Sequence, residues 1–565
     1  ATGGVNTGDG GLVETSGHYL EIGNHVPDAS AFNGVPGTWL LDPSNVLITT
    51  VQRNILQQNT SGTEFFSPIQ PNLTTTIDAN NISSALNEGS HVVVTTNDQD
   101  TIGNDAGNIT VDSAINKSED PLGQTTRLAL EAHNDITVNA DITADIGVLE
   151  IRLVADKDNS GAGQTFINAD IDTNGGDIFT DDIAGNGSGI ISFLDDSTID
   201  SRLTASTVDI STGVIFFNDR VSVDTLNFSG GDIDGSGDID VSSTFNFSDG
   251  TLGGSGILTT ASGATSKITG DTATLTDSKI WNNSGTVNWD GNGGVSDIFR
   301  ISNAVFNNLS GGIFNDNTVT TSFSQIGLDK TGQFNNLGTY NKLGDTVTIT
   351  AVPFNHSGTM NISNGTWQHH TAGIDSGTYN ITGTLEYAED SRTLSGTTFS
   401  GTGDILFSSG TTAIPTNVTI SHSNITMTGG TLNGDGTLAV PDQGVFNWNG
   451  GTITGTGTLN SQAGSTVNIN GNTIDLGADW VWDNAGTINW NGGGGVSDII
   501  RLNSSSQLNN LVDGIFNDNT LTTGDARIGL SSSAQFNNFG TYNKSGDSIT
   551  RANITPFNQT GTLNI

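Results

Sequence analysis

The 565-residue sequence contains no cysteine and only two methionines. Without a thiol, disulfide scaffolds, zinc–thiolate sites, thiol enzymes and iron–sulfur clusters are excluded. Positive charge is scarce too: 17 Lys and Arg stand against 59 Asp and Glu, a formal net charge of −42. A chain this acidic repels phosphate instead of displacing its counterions, so no nucleic-acid partner is expected. No apolar run reaches the roughly 18 residues needed to span a bilayer. Helical periodicity is nearly absent, with one turn legible at Ile82-Ser83-Ser84-Ala85-Leu86-Asn87. What is present is glycine, 75 residues, and a hydrophobic fraction of 33%. That fraction, carried by recurring Val, Ile, Leu, Phe and Trp, is enough for a core, so the composition indicates repetitive β-structure and not disorder.

A long duplication dominates the chain. Residues 281–300 return at 482–501 with fourteen of twenty positions identical, including Trp281 and Trp289 as Trp482 and Trp490. Phe334-Asn335-Asn336-Leu337-Gly338-Thr339-Tyr340-Asn341-Lys342 returns as Phe536-Asn537-Asn538-Phe539-Gly540-Thr541-Tyr542-Asn543-Lys544. Four segments follow: 1–50, an acidic stretch 51–229, a first repeat copy 230–430 and an incomplete second copy 431–565. Inside each copy, glycines after Asn-rich corners recur every 19 to 28 residues, at Gly285, Gly312, Gly338, Gly358 and Gly377 and again at Gly486, Gly514, Gly540 and Gly561.

Short stretches such as Ile136-Thr137-Val138-Asn139-Ala140-Asp141-Ile142 alternate apolar and polar, the period of a strand with one buried face. They end in Gly, Asn or Asp, which tolerate positive φ at tight corners. Stacked turns of this kind predict an all-β fold: a right-handed parallel β-helix (β-solenoid) of about 20–27 residues per turn. Asparagines at equivalent corners would form hydrogen-bonded ladders. Phe245, Phe247, Phe306, Phe314, Phe334 and Phe354 read as core filling rather than as a sugar-binding platform. At about 4.8 Å per turn the whole chain would make a rod on the order of 120 Å long.

The first fifty residues carry a more specific pattern. Gly10, Gly11, Val13, Glu14, Thr15, Ser16 and Gly17 lead through Leu20-Glu21-Ile22 to Trp39, Leu40, Leu41 and Asp42. This arrangement resembles the filamentous-haemagglutinin and high-molecular-weight adhesin family of two-partner (type V) secretion. The resemblance is specific over residues 1–50, extends to about 230 and is generic β-helix beyond. It implies a secreted or outer-surface β-helical protein of a Gram-negative bacterium, exported by an outer-membrane barrel transporter. The implied partners are a host or bacterial surface glycan or protein, with self-association into fibres. The opening Ala1-Thr2-Gly3-Gly4 has no signal core and the closing pattern continues elsewhere in the chain, so the sequence reads as a piece of a longer exported protein. Absence of cysteine suits a chain threaded unfolded through an oxidising compartment.

Chemical motifs are few. Asp156, Asp158 and Ser160 lie in Asp156-Lys157-Asp158-Asn159-Ser160-Gly161, which resembles the start of a calcium loop, and calcium is the one cofactor suggested. Ile167 stands where an EF-hand needs glutamate, so a looser site or a plain turn remains. Gly230-Gly231-Asp232-Ile233-Asp234 superficially resembles a calcium nonapeptide in the wrong register. Arg300 and Arg501 each follow an aspartate by three residues, Asp297 and Asp498, which places the partners on opposite faces of a strand. The same argument separates His369 from His370, and His18 and His25 fall in turns. No Ser–His–Asp arrangement or phosphate loop can be read, so no catalytic residue is assigned and no enzyme is expected. About twenty Asn-x-Ser/Thr sequons, among them Asn59, Asn108, Asn361 and Asn553, match what such a composition produces by chance. Some adhesins of the resembled family carry simple hexoses at such sites, which leaves modification open.

Overall fold

The computed structural model describes residues 1–20, 22–23, 26–50, 74–96, 106–161, 163–180, 189–193, 195–552 and 554–565. Glu21, His25, Asn59 and Asn553 lie outside the described residues. The chain divides into two compact units, Ala1–Lys267 with Thr276–Trp281, and Ile268–Leu275 with Asn282–Ile565. Each is a parallel β-solenoid.

In the first unit, Leu12–Ser16, Thr38–Asp42, His91–Thr95, Thr126–Glu131 and Leu149–Val154 stack in parallel, turn upon turn. Alternation decides what enters the core: Trp39, Leu41, Val92, Val94, Leu128, Leu130, Ile151 and Leu153 all point inward and are buried. Early turns take 27 residues between bonded outward side chains, as from Asp112 to Asn139, and later ones 18, as from Asp209 to Asn227. One helix, Ala79–Asn87, is inserted among the strands. It begins three residues before the turn expected from sequence, because Asp78 caps it by accepting from the Asn80 amide at 2.9 Å. Ile82, Ala85 and Leu86 then face the core.

The second unit repeats three strands per turn with little variation. Thr339–Lys342, Thr359–Ile362 and Thr378–Ile381 lie in exact register, with bonded asparagines 20 and 19 residues apart. The core is aromatic. Phe306, Phe334 and Phe354 follow one another at 4.7 and 5.2 Å between ring centroids. Phe314, Tyr340 and Trp367 do the same at 5.0 and 4.7 Å. Phe245 and Phe247 are buried equally in the first unit.

The corner glycines work differently from the sequence-based expectation. Gly338, Gly358 and Gly377 do not take positive φ. A Cβ on Gly338 would lie 2.2 Å from the Gly312 carbonyl oxygen, and one on Gly358 2.0 Å from that of Gly338. Each turn therefore settles onto the carbonyl of the turn before, and glycine is required for close approach. Positive φ falls to neighbours such as Gly311 (φ +90) and Asn303 (φ +50).

The duplication does not return to the same face. Thr286–Trp289 stacks beneath Ile313–Asp316 and Thr339–Lys342. Its counterpart Thr487–Trp490 lies 28 strands further along, which is nine turns of three strands plus one. It joins the column that runs through Ser296–Ile301, Phe323–Ile326 and Thr466–Ile469. Equivalent outward features of the two copies thus point to different sides of the solenoid.

Candidate functional site

The two halves of the amino-terminal motif meet. Leu12–Ser16 pairs with Thr38–Asp42 so that Val13 faces Trp39, Glu14 faces Leu40, Thr15 faces Leu41 and Ser16 faces Asp42. The Trp39 indole N–H donates to Thr15 Oγ1 at 3.4 Å, and the Gly17 amide donates to the Asp42 carbonyl at 3.1 Å. Gly10 is fixed by space, since a Cβ there would lie 2.0 Å from the Ala29 carbonyl oxygen. Ser16 Oγ donates to Glu14 Oε1 at 2.6 Å, on the outer face. Burial pushes the Asp42 carboxyl up, with Lys157 opposing and Glu14 reinforcing the shift. The motif thus builds two adjacent turns.

The Asp156 loop joins the strands Leu149–Val154 and Thr165–Ile167. Asp156 Oδ1 accepts from Ser160 Oγ at 2.9 Å and both its oxygens accept from the Gly161 amide. Asp158 Oδ1 accepts from the Ser160 amide at 3.3 Å, and Oδ2 lies 3.6 Å from His133 Nδ1. Asp156 and Ser160 are brought together, bonded to each other. Among the described residues no three His, Asp or Glu side chains form a metal-ligand group.

Asp297 and Asp498 are wholly buried, whereas Arg300 and Arg501 point outward. Each aspartate closes a glycine-rich loop: Asp297 Oδ1 accepts from the Asn292 amide at 3.1 Å and Asp498 Oδ1 from the Gly493 amide at 2.9 Å. Burial raises both carboxyls, against the pull of those loop amides, and buried Asp316 and Asp518 add to the effect. His369 is buried and His370 half-buried, so the adjacent pair splits as alternation requires.

Sequence reasoning missed the polar groups inside the core. Asp375 and Arg392 form a fully buried ion pair, and Arg392 also donates to the Phe354 carbonyl at 2.7 Å. Tyr379 donates to Asp375 at 2.9 Å and lies 3.2 Å from His369 Nε2. Burial holds His369 well below its ordinary range, and Arg392 adds to that. The available signal was strand alternation, which assigns Asp375 and Arg392 inward positions that their charge argues against.

Outside, asparagine ladders lie on the strands and not at the corners where the sequence placed them. Asn288, Asn315, Asn341, Asn361 and Asn380 form one, each Nδ2 donating to the asparagine a turn earlier at 2.7–2.8 Å. Asn447, Asn468, Asn489, Asn517, Asn543 and Asn564 form another. The sequon residues Asn108 and Asn361 are both bonded to asparagines of neighbouring turns. A third ladder, Asn307–Asn335–Asn355, floors a groove of about 450 Å³ bordered by Leu309, Leu337 and Ser357. Leu337 is 44% exposed, and its counterpart Phe539, beside the ladder Asn509–Asn537–Asn558, is 41% exposed. These amides are uncharged and flanked by apolar side chains.

No family model matches the chain, and no curated protein matches it.

Proposed function

We propose that the chain is a stem segment of an exported bacterial adhesin or surface fibre, carried out by an outer-membrane barrel partner and attaching to a surface glycan or protein. The observation that carries this reading is the pairing of Val13-Glu14-Thr15-Ser16 with Trp39-Leu40-Leu41-Asp42 on successive turns. The residues that resemble secreted β-helical adhesins thereby share one structural purpose. The uninterrupted three-strand turns of the second unit suit a stem, since each turn needs only its neighbours for support. The amide-floored groove at Leu337 and the equivalent asparagine ladder beside Phe539 are the favoured attachment surfaces, and the change of face between copies lets one stem engage partners on two sides.

Deleting the gene should abolish attachment of whole cells to host or neighbouring cell surfaces, and Leu337→Asp with Phe539→Asp should weaken it without loss of export. Visible surface fibres without any attachment defect would instead favour a purely structural filament. A gene neighbourhood without a barrel transporter would refute the export route.

A further inference from the structure

A buried lysine and a largely buried one stand opposite buried aspartates, once in each repeat copy. Asp316 and Lys342 occupy the same register position on successive turns, as do Asp518 and Lys544. Both aspartates and Lys342 are fully buried, and the Lys544 side chain is 13% exposed. Lys342 Nζ lies 3.8 Å from Asp316 Oδ2 and donates to the Gly344 carbonyl at 2.6 Å. Lys544 Nζ lies 3.4 Å from Asp518 Oδ1 and donates to the Gly546 carbonyl at 2.5 Å.

The carboxyl surroundings match. Asp316 Oδ2 accepts from Tyr340 and Thr348 hydroxyls at 3.1 and 2.6 Å, and Asp518 Oδ2 from those of Tyr542 and Thr550 at 2.8 and 2.5 Å. Asp316 Oδ1 takes a hydroxyl bond from Thr318 at 2.6 Å, and Thr318 receives one from Ser324 at 2.7 Å. Asp518 Oδ1 takes one from Thr520 at 2.7 Å, and Thr520 receives one from Ser548 at 2.7 Å. Ser324 and Ser548 are not equivalent in the duplication, and the two clusters lie on different faces. The same chain of hydroxyls is nevertheless rebuilt in both places.

We propose that Lys342 is joined to Asp316, and Lys544 to Asp518, by side-chain amide bonds across adjacent turns. The lysine amine, having given up an ammonium proton, attacks Cγ of the aspartate carboxyl. The Nζ–Cγ bond forms, the Cγ–Oδ1 bond breaks, and Oδ1 leaves as water with two of the three protons of the lysine ammonium. No oxidant or reductant is consumed. Oδ2 remains as the amide carbonyl, still accepting from the tyrosine and threonine hydroxyls. The remaining N–H keeps the bond to the Gly344 or Gly546 carbonyl, and the Ser–Thr hydroxyl chain relays protons to the departing oxygen. Burial also favours the neutral amine at Lys342, whose affinity for a proton is lowered. Neutralising a buried ion pair removes the desolvation cost of two charges, and a chain without cysteine gains covalent staples between turns.

The test is the intact mass of the purified full chain under denaturing conditions, followed by peptide mapping. The expected result is a mass short by two waters, with branched peptides joining Lys342 to Asp316 and Lys544 to Asp518. Lys342→Met and Lys544→Met should each restore one water. A wild-type mass equal to that of the sequence, or a water deficit on unbranched peptides only, overturns the proposal whether or not the variants fold. One branched peptide alone overturns it for the other pair.

Discussion

The buried asparagine ladder offers the sharpest test of how the turns hold together. Asn283, Asn308 and Asn336 are fully buried on consecutive turns. Asn308 Nδ2 donates to Asn336 Oδ1 at 2.8 Å and to the Thr339 carbonyl at 3.0 Å, while its Oδ1 accepts from Asn283 at 2.9 Å. Replacing Asn308 with leucine keeps the branch of the side chain, adds some bulk, and strips two acceptors of this donor, the buried Asn336 Oδ1 and the part-buried Thr339 carbonyl. Asn283 retains the Gly285 carbonyl at 3.1 Å, so its loss is smaller. At about 1–3 kcal/mol for each of the two orphaned acceptors, Asn308→Leu should cost about 2–6 kcal/mol. Asn361→Leu, in a ladder that water reaches, should cost about 1 kcal/mol or less, because solvent replaces the lost partners. Stacked turns need not unfold as a single two-state unit, so the assay is native-state hydrogen exchange of the amides in Val305–Asn308 and Gln333–Asn336. Equal effects of the two substitutions would refute the claim that buried amides, more than exposed ones, lock the turns.

Three further outcomes follow from other positions. Gly338→Ala should destabilise the second unit more than Gly311→Ala: the first forces a Cβ to 2.2 Å from a carbonyl oxygen, whereas the second has open space and only a φ of +90 to penalise it, a cost of about 1–2 kcal/mol; comparative urea unfolding checks the order. Burial pulls Lys279 down to about 8, with Asp234 and Asp238 opposing. Between that value and the ordinary 10.5 the unfolded chain binds a proton that the folded chain does not. First-unit stability should therefore rise with pH across that window, by on the order of 3 kcal/mol, and Lys279→Met should abolish the rise in hydrogen exchange measured from pH 7.5 to 10.5. His369 is held neutral by burial, so acidification below its ordinary 6.5 should weaken the second unit as the unfolded chain takes up a proton first. In thermal melts from pH 7 to 4, His369→Phe should flatten that slope.

Much of this architecture was legible because a solenoid writes each turn in nearly the same letters. Phe334, Phe354 and Tyr340 alternate with Asn335, Asn355 and Asn341, and alternation alone puts the rings inside and these amides outside. The corner glycines were legible as corners, yet their cause was not: Gly358 needs room beside the Gly338 carbonyl, a contact between turns that no local pattern records. The shift of face between copies was hidden because an offset of 201 residues does not say how many strands it contains. Asp316 and Lys342 were hidden for the opposite reason. Their inward register was readable in Ile313–Asp316 and Thr339–Lys342, but charge and hydropathy place such residues in solvent. Only the pairing of adjacent turns reveals that each supplies the other's neutralising partner.

Successive turns of the second unit stack in parallel at a constant rise. Thr366, Thr384, Asp404, Asn424, Val445, Thr466 and Thr487 occupy one column, joined turn by turn. Six steps at roughly 4.8 Å place Thr366 and Thr487 about 29 Å apart. Because the chain has no cysteine, Thr366→Cys with Thr487→Cys gives two unique sites for spin labels on outward positions. Pulsed electron paramagnetic resonance should return a single narrow distribution near that distance, after allowance for the label arms. A broad distribution, or a centre well beyond 40 Å, would contradict stacked turns as the basis of this fold and of the stem built from it.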